Sequence, residues 1–145
     1  MALMRQVGTG WWQMTTTRSV PVENSYVTSR APLLKTRWER RLGRALEVQT
    51  DRLLPAPHGK SYHADVVLQD PVDGLPLVVF EVKGPGKTSQ QAEENLRRIL
   101  DTRQYARLLG GKPPRVVLLV GLGEKQEGER IKRAVNGRGI KVEVL

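Results

Sequence analysis

Asp65, Glu81 and Lys83 are the residues whose types and spacing could do chemistry. They lie in SYHADVVLQDPVDGLPLVVFEVKGPGKT, residues 61–88, which reads as two strands and a turn. Val66, Val67 and Leu68 form one apolar run and Leu77 to Val82 the other, while Asp70, Pro71, Asp73, Gly74 and Pro76 between them are turn formers. Side chains alternate along a strand, so Glu81 and Lys83 share a face while Phe80 and Val82 point the other way. Two carboxylates beside one ammonium make a seat for a hard divalent cation such as Mg²⁺, with the lysine left to polarise a water or a phosphate.

A plainer reading makes Asp65 a strand-edge carboxylate and Glu81 with Lys83 a solvated pair worth under about 1 kcal/mol. Against it, the two charges interrupt LPLVVFEVKG, an otherwise continuous apolar run of the kind covered on both faces. The string GPGKT invites a nucleotide-binding reading, but a phosphate loop needs glycine where Glu81 stands. Val116 to Val120, which would have to supply the second nucleotide motif, carries no Asp. No nucleotide cofactor is expected.

Asp65, followed after a hairpin by Glu81-Val82-Lys83, resembles the D…(D/E)xK signature of the PD-(D/E)XK nuclease superfamily. Ala64 stands where that family usually has Pro. The resemblance implies a Mg²⁺-dependent endonuclease, with Mn²⁺ able to substitute. In it Asp65, Glu81 and the Val82 backbone carbonyl hold the metal and Lys83 orients the attacking water. A Glu from the first helix joins the metal site in many members, and Glu39 is the position similar to it. The loop Gly59-Lys60-Ser61 is similar to the glycine-serine loop of archaeal-type Holliday junction resolvases, and Gln104 to a Gln that recurs on the helix after ExK.

The elements that must position these residues follow from periodicity. From about Ser29 to Glu47 the pattern is helical, with Leu34, Trp38, Leu42, Ala45 and Leu46 on one face and Arg37, Arg40 and Arg44 on another. Within it Thr36-x-x-Glu39 also reads as a capping box, so Glu39 is open to either role. Val48 to Leu54 reads as a strand, and PAPHGKSYHAD as the loop leading into the hairpin. Thr88-x-x-Gln91 opens a helix that runs to Leu109 and ends at Gly110-Gly111. Its apolar face of Ala92, Leu96, Ile99, Leu100 and Ala106 also contains Arg103, which either snorkels to the edge or meets a phosphate. Arg115 to Val120 is a buried strand, Glu127 to Val135 a short helix and Ile140 to Leu145 a last strand. The order αβββαβαβ predicts an α/β fold with a mixed central sheet flanked by helices, and it resembles the superfamily's restriction-endonuclease-like αβββαβ core with an added αβ unit.

At 145 residues the chain has room for one domain. Residues 1–28 read as an N-terminal arm, and the resemblance implies a single nuclease domain over 29–145. The arm carries Trp11 and Trp12 side by side, which cannot both enter one small core; a contact with a second subunit is expected, with stacking on nucleic acid the alternative. The net charge of +9, from 24 Lys plus Arg against 15 Asp plus Glu, favours a polyanionic partner. Arg37, Arg40, Arg44, Lys60, Ser61, Lys87, Arg103 and Gln104 are the expected DNA contacts. His58 and His63 read as solvated loop residues rather than ligands. With no cysteine, a disulfide framework and a thiolate metal site are excluded, and an intracellular, cytoplasmic setting fits. No apolar run approaches the ~20 residues of a membrane span.

So short a chain has little mass for reading sequence, which favours recognition of branched DNA by a symmetric homodimer, as in a junction resolvase. A type II restriction-like or virus-type replication-repair nuclease is the alternative within this class. A basic DNA-binding or assembly protein without catalysis is the alternative outside it.

Overall fold

The computed structural model describes residues 2–4, 14–16, 25–55, 61–84, 88–108 and 111–144. Two short strands, β1 (Ala2–Met4) and β2 (Met14–Thr16), pair antiparallel, and β2 runs against the first strand of the main sheet. Then come α1 (Ser25–Leu42), β3 (Glu47–Pro55), β4 (Ser61–Gln69), β5 (Pro76–Lys83), α2 (Ser89–Leu108), β6 (Arg115–Val120), α3 (Lys125–Ala134) and β7 (Ile140–Val144). From α1 onward this is the element order read from the sequence. Trp11, Trp12, His58, Gly59, Lys60 and Lys87 lie outside the described residues, and of Ser61 only the backbone is described.

The main sheet has five strands in the order β3-β4-β5-β6-β7, antiparallel from β3 to β5 and parallel from β5 to β7. Because the central strands are covered on both faces, each face has its own core. On one, α1 lays Leu34 and Trp38 against Val66, Leu68, Val78, Phe80, Val82, Val117 and Leu119. Trp38 meets Phe80 edge to face, with ring centroids 6.1 Å apart. On the other, α2 and α3 bury Ala92, Leu96, Ile99, Ala106 and Ile131 against Leu54, Tyr62, Val67, Val79 and Val116. Among the described residues no helix is long and apolar enough to cross a membrane.

The expected helix over Ser29 to Glu47 is displaced toward the N-terminus. Its end is set by Gly43, whose φ of +63° is left-handed and whose N–H closes on the Glu39 carbonyl at 2.9 Å. Leu46 is buried from the connection to β3 rather than from the helix, which is why it mimicked a further helical turn. Thr36 is therefore mid-helix, and its hydroxyl donates back to the Pro32 carbonyl at 3.2 Å; the capping box does not form.

The hairpin turn is held as its residue types suggest. Asp70 Oδ1 accepts the Val72 and Asp73 N–H groups at 2.7 and 3.1 Å, which together hold the Asp70 carboxyl below its usual range. Buried Arg52 donates to Gln69 Oε1 at 2.7 Å and to the Gly74 carbonyl at 3.0 Å, fastening the turn to β3. Thr88 Oγ1 accepts the Gln91 N–H at 3.1 Å, so the cap read at the start of α2 is present.

Candidate active site

Strands β4 and β5 are joined by main-chain pairing from Gln69 to Val66, and past the pair Val66↔Phe80 they part. Strand β4 stays paired to β3 as far as Ser61. Asp65 stands at the parting, where its Oδ2 accepts the Val82 N–H at 2.8 Å. The N–H and C=O of one residue in an extended strand point to the same side, so the Val82 carbonyl also faces the gap beside Asp65.

The register skips one pair between β3 and β4, at Asp51 and Asp65, and Asp51 has a φ of +53°. Alternation inverts there in both strands. Val66 and Leu68 lie in the α1-side core while Tyr62 and Ala64, also even-numbered, lie in the α2-side core; Val48 and Leu54 in β3 are divided the same way. The irregularity thus swings Tyr62 onto the face that carries Glu81. His63 is directed to Asp51, with Nδ1 3.3 Å from its Oδ1.

Glu81 is fully buried. Its Oε2 accepts the Tyr62 hydroxyl and its Oε1 accepts Asn95 Nδ2 at 3.0 Å, so donors from β4 and α2 hold one carboxylate. Burial first, and then the charges of Glu81 and Asp65, push the Tyr62 phenol well above its ordinary value.

Lys83 lies on the same face, as alternation requires. Its Nζ is 3.5 Å from Glu124 Oε1, and Glu124 Oε2 accepts the Gly121 N–H at 3.3 Å at the entrance to α3. Nearby, Ser89 and Arg130 both donate to Glu127, which with Arg130 as the larger cause holds the Glu127 carboxyl down to about 2.

The remaining residues singled out in the sequence are elsewhere. Glu39 belongs to α1, across the sheet from Glu81; its Oε2 accepts the Leu46 N–H at 2.9 Å and its Oε1 lies 3.7 Å from Lys35. Among the described residues no three His, Asp or Glu side chains converge, so Glu39 does not join Asp65 and Glu81. Arg37 and Arg41 turn to Glu143 on β7 and Arg44 to Asp70 in the hairpin turn, while Arg40 is exposed on α1. Burial pushes the Glu143 carboxyl up, but hydrogen bonds from Arg41 and Lys141 outweigh it and leave it below the ordinary value. The Arg103 guanidinium lies by Gly139, at the opposite end of the parallel strands from Lys83. Gln104 is exposed, nine residues and about 13 Å along α2 from Asn95. The α2 residue that reaches Glu81 is Asn95.

Sequence reading missed Tyr62 and Asn95. Asn95 carried a signal: it is three residues after Ala92 and four before Ile99, a polar residue on a buried stripe. Tyr62 carried none, because strict alternation puts it on the other face. Comparison with protein-family models, with curated proteins and with solved structures finds no match.

Proposed function

We propose that the chain is a metal-dependent DNA endonuclease, built on a restriction-endonuclease-like αβββαβ core with an added αβ unit. Its proposed substrate is branched DNA, as for a Holliday junction resolvase, and its working form a homodimer inside the cell. The observation that carries this reading is the parting of β4 from β5 at Asp65. There Asp65 accepts the Val82 N–H, and Val82 stands between Glu81 and Lys83 on β5.

The donor set fits a hard cation. It is all oxygen, and Mg²⁺ is commonly held by one or two carboxylates with waters and substrate phosphates completing the shell. Each carboxylate oxygen has two lone pairs, so one oxygen can accept a hydrogen bond and bind a cation together. Asp65, Glu81 and the Val82 carbonyl would hold Mg²⁺ or Mn²⁺, which when bound lowers the pKa of water and stabilises charge on a phosphodiester. Lys83 then supplies a positive charge that orients the attacking water in line with the scissile bond. Asp65 keeps its place through the Val82 N–H, and Tyr62 and Asn95 keep that of Glu81. The net charge of +9 supports a polyanionic substrate.

A second reading, a basic DNA-binding protein without catalysis, draws on the complete burial of Glu81, whose two oxygens already accept hydrogen bonds inside the protein. Incubating the chain with a four-way junction and with a linear duplex of the same sequence, with and without Mg²⁺, separates the readings. Preferential Mg²⁺-dependent cutting of the junction is expected. Equal cutting of both at one fixed sequence points to a restriction-type enzyme, and binding without cutting to the second reading.

A further inference from the structure

We infer that Tyr62 and Asn95 are positioning residues that hold Glu81 ready for a divalent cation, an inference that rests on the nuclease reading. Three features of the geometry carry it. Glu81 is fully buried in a face otherwise built from Val79, Leu96, Val116 and Leu118, where an ionised carboxylate is costly unless hydrogen-bonded. Its two oxygens are each met by a neutral donor, the Tyr62 hydroxyl on Oε2 and Asn95 Nδ2 on Oε1. These donors come from two different elements, β4 and α2, so each oxygen of the carboxylate has its own anchor.

The choice of neutral donors matters. A phenol and an amide both donate to the ionised form of Glu81 and stabilise it without adding a charge of their own. The inverted alternation at Asp51 and Asp65 has a purpose on this account. It brings the Tyr62 hydroxyl to Glu81 and leaves Asp65 at the gap beside Val82, so one irregularity sets both carboxylates. A core that needed only to be filled would place an apolar side chain at position 62.

The test measures Mn²⁺ binding to the full chain by loss of the free-ion electron paramagnetic resonance signal, for wild type, Tyr62→Phe and Asn95→Ala. The phenylalanine keeps the ring and its packing, while the alanine acts from α2 and leaves β4 untouched. Groups that hydrogen-bond a ligating carboxylate typically contribute 10–100-fold to metal affinity, so each variant should bind Mn²⁺ weaker by roughly that factor. The metal concentration for half-maximal DNA cleavage should shift in parallel, with the rate at saturating Mn²⁺ returning near wild type. A purely structural role would lower the melting temperature and leave Mn²⁺ affinity unchanged, and that result in both variants overturns the inference while the nuclease reading stands. A wild-type chain that neither binds Mn²⁺ nor cuts DNA overturns both.

Discussion

Asp65 replaces the backbone of its own strand as the partner of Val82. Its Oδ2 accepts the Val82 N–H at 2.8 Å, just beyond the last main-chain pair between β4 and β5, at Val66↔Phe80. A sheet that simply frayed at this point would leave that N–H unpaired and the strand ends loose. Here the carboxylate ties the parting strands together and stands in the gap between them. The bond therefore has a structural and a chemical consequence, which different substitutions separate.

Asp65→Ala leaves the Val82 N–H without its acceptor and should lower unfolding free energy by about 1–3 kcal/mol. Asp65→Asn keeps an acceptor oxygen and should lose much less. Both should abolish metal-dependent cleavage. Urea denaturation of the three proteins beside a cleavage assay checks this; an active asparagine variant would remove Asp65 from the site.

Much of the fold was legible because the periodicities were clean. The turn at 70–76, the strand Arg115–Val120 and the shared face of Glu81 and Lys83 all follow from residue types and spacing. Two things were not. Leu46 extended the apolar stripe of α1 past Gly43, whose left-handed backbone had already ended the helix. Tyr62 went unnoticed because a period of two assumes an unbroken ladder and would set it on the face away from Glu81, and the skipped pair at Asp51 and Asp65 breaks that ladder. Such an irregularity depends on how two strands meet, which neither strand's sequence states alone.

Glu39 closes the turn between α1 and β3, so its removal should affect folding rather than catalysis. Glu39→Ala frees the Leu46 N–H from a charged acceptor and should cost about 1.5–3 kcal/mol. Cleavage rate at a temperature where the variant is folded should match wild type. A variant of unchanged melting temperature with lost activity would return Glu39 to the metal site.

Gly128 is where α3 presses on β6 and β7. A Cβ there would lie 2.7 Å from Val142 Cγ1 and 3.0 Å from Val120 Cγ1. Alanine gains about 1 kcal/mol of helix propensity over glycine. Overpacking a close contact costs about 1–3 kcal/mol, so the strain should win and Gly128→Ala should melt lower than wild type. Calorimetry decides, and a higher melting temperature would mean that α3 sits further from the sheet.

Glu127 makes stability depend on pH in the acid range. Its folded-state value of about 2 lies below the ordinary 4.5, so the folded protein favours the ionised form. The stability it contributes is present above 4.5 and is lost as pH falls through about 2. Glu127→Gln should therefore flatten the fall in melting temperature over that window, by a small amount because the group is exposed to solvent. Identical acid profiles for the two proteins would show that Arg130 and Ser89 do not hold the carboxylate in solution.

The central claim is that Asp65, Glu81 and Lys83 form one hydrolytic site, and it is tested most directly by nicking of supercoiled DNA with Mg²⁺ and with chelator, for wild type, Glu81→Gln and Lys83→Ala. Glutamine keeps the shape of the buried side chain and removes its charge, while alanine removes the ammonium group beside Glu124. The account predicts cutting by wild type with Mg²⁺ only, and none by either variant although both remain folded and bind DNA. Cutting by the variants at the wild-type rate, or by wild type in chelator, would contradict it.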